Sequence, residues 1–270
     1  MARGARRRRA RARARRARGA APRRRRSARG GGRPLKTLGF DTATAATVVA
    51  LLADTHEPLE ARDDPEPGAR PRHTARLLAL ARELLDRAGL GFADLDLIAV
   101  GTGPGSFTGL RIGVATARAL GQATGAPVAG VSTLRALATL AGGADPETLV
   151  LPVVDARRGE VFVAGRRGGE EVFHPRAMTP SELAELAEAG GAGDRRPWLG
   201  VGDGAVRFRD VLVAAGVSVP EPDSPLHRVS AVTVCRLAAE GEPAPSRAVV
   251  PDYLRAPDAE EALRARTEHR

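Results

Sequence analysis

The chain has 270 residues, which at roughly 150 residues per domain suggests one large or two modest domains. Its hydrophobic content of 43% is enough for a core, while a single cysteine, Cys235, excludes an internal disulfide framework and a cysteine-rich zinc site. The net charge of +10 is unevenly placed: residues 1–34 hold 16 of the 42 basic residues and no acid, so residues 35–270 carry 26 basic against 32 acidic residues, a net −6.

Residues 1–34 contain no Val, Leu, Ile or aromatic residue, can bury nothing, and are expected to be a disordered Arg-rich extension. They read in three ways. One is a basic arm that holds RNA phosphates. Another is an organellar transit peptide, although Ser27 is its only serine. The third and preferred reading is untranslated upstream sequence of a GC-rich gene, since Arg outnumbers Lys 41 to 1. Translation would then begin at Leu35, directly before Lys-Thr-Leu-Gly-Phe-Asp. A secretory signal needs an apolar stretch that is absent here, and no apolar run approaches the ~20 residues of a membrane span.

Residues 37–52 predict two strands around a small polar turn, and residues 54–72 a polar loop. Leu77, Leu78, Ala81, Leu84, Leu85 and Ala88 recur at helical spacing over 73–88, with Gly89 at the stop position. A short buried strand over 95–100 leads into the glycine-rich turn GTGPGSFTG (101–109), a helix over 109–124, a strand over 127–131 and a helix over 133–141. The alternation argues an α/β fold. VLPVVDARRGEVFVAG (150–165) then repeats the opening, with Asp155 matching Asp41 and Val161 matching about Val48. This predicts a duplicated fold, with one lobe over 35–144 and a second over 145–270. The remainder predicts helices over 181–189, 206–215 and 230–240, a strand running into GVGDGA (200–205), and an extended VVPDYLR close.

Few of these residues carry recognisable chemistry. Asp41-Thr-Ala-Thr lies where a strand turns back, so Asp41 and Thr42 either hold a phosphate or satisfy turn backbone. Gly103, Gly105 and Ser106 sit before a helix, a natural anion site, yet no P-loop or G-x-G-x-x-G register fits, and tight strand-to-helix packing is the alternative. Gly202, Asp203 and Gly204 admit either a nucleotide base or a plain turn. His73 has Leu77 at the position where a second helical metal ligand is needed, so neither a metal site nor a catalytic residue is expected. Cys235 sits among apolar residues, like a core side chain. Gly109, Gly113, Ala117 and Gly121 recur every four residues and form one helical stripe. Glycine inside a helix costs about 1 kcal/mol relative to Ala, so the stripe implies close approach of another backbone, this protein's own or a partner's.

LGFDTAT, HTARLL, DLIAVGTGPGSFTGLRIGVATARAL, PVAGVSTLRALA, LPVVDARRGEVFVA and PDYLR occur in that order and together resemble the bacterial TsaB (YeaZ) family, from about Leu35 to about Pro257. The most specific element is GPGSFTGLRIG. The resemblance implies two ribonuclease H-like lobes of the actin-like ATPase superfamily. It also implies a non-catalytic, cytoplasmic subunit in the formation of threonylcarbamoyladenosine at position 37 of tRNAs that read codons beginning with A. Its implied partners are the catalytic paralogue TsaD, the ATPase TsaE and, through the complex, tRNA. ATP is used by the complex and not held tightly by this subunit. Whether the protein is a homodimer when alone stays open. Pairing with TsaD is implied to use the N-lobe helices, with Leu77, Leu78, Gly109, Leu110, Gly113, Val114, Ala117 and Gly121 as candidate interface residues. The reading from a different class is an actin-like ATP-dependent small-molecule kinase or carbamoyl transferase, which magnesium-dependent ATP binding would reveal.

Overall fold

The computed structural model describes residues 35–53, 57–66, 68–143, 145–193 and 196–255, so the Arg-rich extension lies outside the described residues. Those described fall in one compact unit. The opening hairpin is β1 (Thr37–Asp41) and β2 (Thr47–Leu52), extended by an edge strand β3 (Leu59–Asp63). β4 (Leu97–Gly103) and β5 (Val128–Ser132) complete a five-stranded sheet in the order β3-β2-β1-β4-β5. The first three strands are antiparallel, while β4 and β5 run parallel to β1. A second sheet contains β6 (Leu149–Arg157), β7 (Glu160–Arg167), β8 (Glu170–Met178) and β9 (Trp198–Val201) in the order β8-β7-β6-β9. Its pairing directions repeat those of the first.

The duplication extends to register. Asp41 pairs with Val48 in the first hairpin and Asp155 with Val161 in the second. The fold is α/β, with two tandem ribonuclease H-like lobes.

Strand alternation sends successive side chains to opposite faces of each sheet. On the outer face of the first sheet, Leu38, Phe40, Val49 and Leu51 pack against α1 (His73–Arg87) and α2 (Phe107–Thr124). On its inner face, Val48, Ala50, Leu97 and Ala99 meet α3 (Thr133–Leu140) and a late helix over Ala231–Glu240. α3 also contacts the second sheet, whose inner-face residues Val150, Val154 and Phe162 belong to the same cluster, so one apolar cluster joins the two lobes. The outer face of the second sheet, including Leu151 and Val163, is covered by Leu183 and Ala187 of α4 (Pro180–Gly193). Ala205 of α5 (Asp203–Arg207) and Leu212 of α6 (Arg209–Ala214) complete that cover. The late helix is therefore α7, and it lies on the first sheet although it follows the second in the chain.

Two sequence expectations need correction, and one strand had no expectation at all. The polar loop over 54–72 contains β3, an edge strand whose Leu59 and Ala61 pack inward while Glu60 is exposed. β8 is a second edge strand hidden by its charge, with the pattern Glu-Glu-Val-Phe-His-Pro-Arg. Charged and proline-bearing edges are a usual way to block further pairing, and they weaken the strand signal. The helix expected over 206–215 is two short helices that break at Phe208.

Candidate functional site

The two acid-bearing turns are consumed by the protein itself. Asp41 is buried, and its carboxylate accepts from the Ala43 amide at 2.7 Å and the Thr133 hydroxyl at 2.7 Å. Burial pushes its pKa up, and these two hydrogen bonds act in the opposite direction. The Thr42 hydroxyl donates to the Gly109 carbonyl at 2.7 Å, tying the β1 turn to α2. The turns interlock tightly: a Cβ at Gly105 would lie 2.3 Å from the Ala43 carbonyl oxygen, and the Ser106 amide donates to that same oxygen at 2.7 Å. Gly103 has φ of +100°, and Ser106 caps α2 through the Gly109 amide.

The second lobe repeats the device. Gly202, at φ +102°, would place a Cβ 2.3 Å from the Val153 carbonyl oxygen. A Cβ at Gly204 would lie 3.0 Å from the Asp155 amide nitrogen. That amide donates to Asp203 at 3.1 Å, and burial raises the Asp203 pKa. At Gly105, Gly202 and Gly204 the close approach is to this chain's own backbone. Of the eight candidates only Gly105 and Ser106 line an open cleft.

The glycine stripe likewise faces inward. A Cβ at Gly109 would lie 1.9 Å from the Thr42 carbonyl oxygen, one at Gly113 2.5 Å from Thr42 Oγ1, and one at Gly121 2.7 Å from Val128 Cγ2. Leu77, Leu110, Val114 and Ala117 are buried as well. A residue buried against its own sheet is not available to a second chain, so this placement corrects the expected interface. Of those eight residues only Leu78 is exposed, at 49%. On the outward side of the helix pair Ala75, Leu78 and Ala79 of α1 and Ala115 and Ala119 of α2 are exposed, flanked by charged residues such as Arg82, Glu83 and Arg111.

His73 starts α1 and is buried; its Nδ1 lies 2.9 Å from the Thr47 hydroxyl, and Nε2 has no partner. Burial lowers its pKa, against the opposing effect of the Asp63 charge. Asp63 receives Arg72 at 2.5 Å and Arg76 at 3.1 Å. Among the described residues no group of three or more His, Cys, Asp or Glu side chains is placed to hold a metal ion, and no helix is long and apolar enough to cross a membrane.

The open cleft, about 440 Å³, lies between the start of α2, the β6–β7 turn and the C-terminal segment. Sequence reasoning left most of its residues unremarked. Phe107 and Tyr253 are 5.2 Å apart, ring to ring, and the Arg111 guanidinium lies 4.0 Å from the Phe107 centroid. Only distant segments brought together by folding create this cluster, so no local motif announces it.

A family model described as TsaD, tRNA N6-adenosine threonylcarbamoyltransferase, matches residues 65–196. The chain is 31% identical over 231 residues to the tRNA threonylcarbamoyladenosine biosynthesis protein TsaB of Escherichia coli, covering 82% of this chain and 95% of that protein. It is 30% identical to the Bacillus subtilis protein of the same name, over 71% of this chain and 83% of that one. The solved structure of YeaZ from Pseudomonas aeruginosa superposes with a TM-score of 0.66 at 30% identity, covering 82% of this chain and all of the other. With 31% identity over 95% of the Escherichia coli protein and the fold of the Pseudomonas aeruginosa YeaZ, the chain belongs to the TsaB family.

Proposed function

We propose that this protein is the non-catalytic partner subunit of the complex that forms threonylcarbamoyladenosine at position 37 of tRNA, and that it binds the catalytic paralogue TsaD through the outer face of α1 and α2. The observation that carries this reading is the exposed face itself. Ala75, Leu78, Ala79, Ala115 and Ala119 lie in the open on two adjoining helices whose other faces are filled by the sheet. Small side chains allow another helix pair to approach closely, since interaxial distance depends on the residues at the contact. The same surface serves a homodimer when the paralogue is absent. TsaE joins the complex and uses ATP, and this subunit holds no nucleotide tightly, because its turns are filled by its own backbone. The protein acts in the cytoplasm, where tRNA is modified.

Leu78→Arg and Ala115→Arg test the reading. Each should abolish pairing with the paralogue in analytical ultracentrifugation and leave the circular dichroism spectrum and thermal midpoint unchanged. Pairing at wild-type strength in the double variant would remove this face from consideration. Magnesium-dependent ATP binding by the isolated protein at micromolar strength would favour a kinase-like enzyme instead.

A further inference from the structure

The outward face of the helix pair carries charges of both signs in a particular relation. In the chain α1 lies between β3 and β4, and α2 between β4 and β5; all three strands run in the direction of β1. Each helix is thus a crossover between parallel strands, so the two run side by side in one direction. They also start level with each other, because a Cβ at Gly109 of α2 would lie 3.3 Å from Nε2 of His73, the first residue of α1. At a rise of about 1.5 Å per residue, Ala79 and Ala115 both stand about 9 Å along from that point. Glu83 is one helical turn, about 6 Å, beyond this level, and Arg111 is about 6 Å before it. All four residues are exposed.

Neither charge is used within the molecule. Arg82 is paired with Asp86, while Glu83 makes no ion pair among the described residues. The Arg111 guanidinium lies 4.0 Å from the Phe107 ring centroid, and its Nε donates to the Tyr253 hydroxyl at 3.3 Å. Its two terminal amino groups make no bond among the described residues, so a guanidinium already fixed in place presents the edge that matches a carboxylate. A two-fold axis lying in the face, across the helices at the level of Ala79 and Ala115, reverses the helix direction of a second copy. Arg111 then stands level with the partner's Glu83 on an adjoining helix, and symmetry makes the contact twice. Helix axes about 8–10 Å apart put the two groups within the combined reach of their side chains. An axis along the helices instead leaves them about 12 Å apart. We infer that Arg111 pairs with the partner's Glu83, and that these two ion pairs set the antiparallel register of a homodimer built on α1 and α2. A second copy fits this face better than an anionic polymer, which would meet Glu83 as a like charge. This pairing rests on the proposed use of the α1/α2 face.

The test is sedimentation velocity of the full chain over about 1–100 micromolar in about 0.1 M salt, where surface charges are only partly screened. Arg111→Glu sets two like-charge contacts into each dimer, and Glu83→Arg does the same with opposite sign. Each variant alone should self-associate at least about tenfold more weakly than wild type. A mixed dimer of the two variants regains both attractions, so an equimolar mixture should associate to within about threefold of wild type. That recovery also shows that neither variant had unfolded. Wild-type protein that stays monomeric at about 100 micromolar, single variants that associate as wild type does, or a mixture no tighter than its components would each overturn the inference. Leu78→Arg, on the same face, separates this failure from that of the pairing model. If it abolishes self-association and the charge variants leave it unchanged, the face pairs in another register. If self-association survives Leu78→Arg, the α1/α2 face is not used, and the pairing model fails as well.

Discussion

Replacing Gly109 by alanine tests how the helix pair is seated. The new methyl carbon would lie 1.9 Å from the Thr42 carbonyl oxygen and 3.3 Å from His73 Nε2. That is roughly 1.5 Å short of ordinary contact, and the obstacle is backbone that no rotamer change can move. α2 must lift away from the β1 turn, which breaks the buried bond from the Thr42 hydroxyl to the Gly109 carbonyl. Losing that bond costs about 1 kcal/mol, and forced overpacking adds about 1–3 kcal/mol. Better helix propensity returns about 1 kcal/mol. The net expectation is a loss of about 1–3 kcal/mol, read as a lower urea midpoint at unchanged slope. Gly143→Ala is the control, since a Cβ there meets nothing within 4 Å, and it should fall within about 0.5 kcal/mol of wild type. An unchanged or higher midpoint for Gly109→Ala would refute the inward-facing stripe and return that face of α2 to the candidate interface.

Two further expectations follow from buried groups. His73 has its pKa lowered by burial, so the folded protein takes up its proton less readily than the unfolded chain does at about pH 6.5. Stability should therefore be insensitive to this group above about pH 6.5 and fall as pH drops below it. His73→Asn should flatten that part of the curve, and an identical slope in wild type and variant would contradict the assignment. Cys235 is fully buried, with Sγ 3.8 Å from the Thr37 carbonyl oxygen, and burial pushes its thiol pKa well up. A thiol reagent should label it only at the rate of unfolding, and rapid stoichiometric labelling of the native protein would show the packing to be wrong.

The lobe pattern was legible because strand alternation and the Asp-turn repeat are local signals. Asp41 and Asp155 occupy equivalent registers, as their sequence surroundings imply. The helix cores were also legible from spacing, since Leu77, Leu84 and Leu85 all point into the sheet. Edge strands β3 and β8 were harder to see because their charged residues serve to block pairing. The glycine stripe showed that some backbone comes close to α2, but spacing alone carries no information on whose backbone it is. Thr42 supplies the answer from 67 residues away. The cleft was the least legible element: Phe107, Arg158 and Tyr253 come from three distant segments, and only the folded C-terminal segment brings the tyrosine to the phenylalanine.

The shared core bears on whether the two lobes can move apart. A two-lobed enzyme that closes on its ligand needs a hinge across which few apolar contacts must break. Here Leu137 of α3 is 1% exposed inside a cluster that includes Ala99 of the first sheet and Val154 of the second, so parting the lobes would expose that apolar surface. Leu137→Ala should cost about 2–5 kcal/mol, the range for a large-to-small change at a buried site. The protein also carries a reporter on each sheet. Trp198, the single tryptophan, lies in β9, and Cys235 packs against Gly39 of β1. If the lobes are fused through α3 and α7, Trp198 fluorescence and Cys235 thiol exposure should change at one urea midpoint, and Leu137→Ala should lower both equally. A variant in which the tryptophan transition moves and thiol exposure does not would mean that the lobes unfold independently, and the argument for a shared rigid core would fail with it.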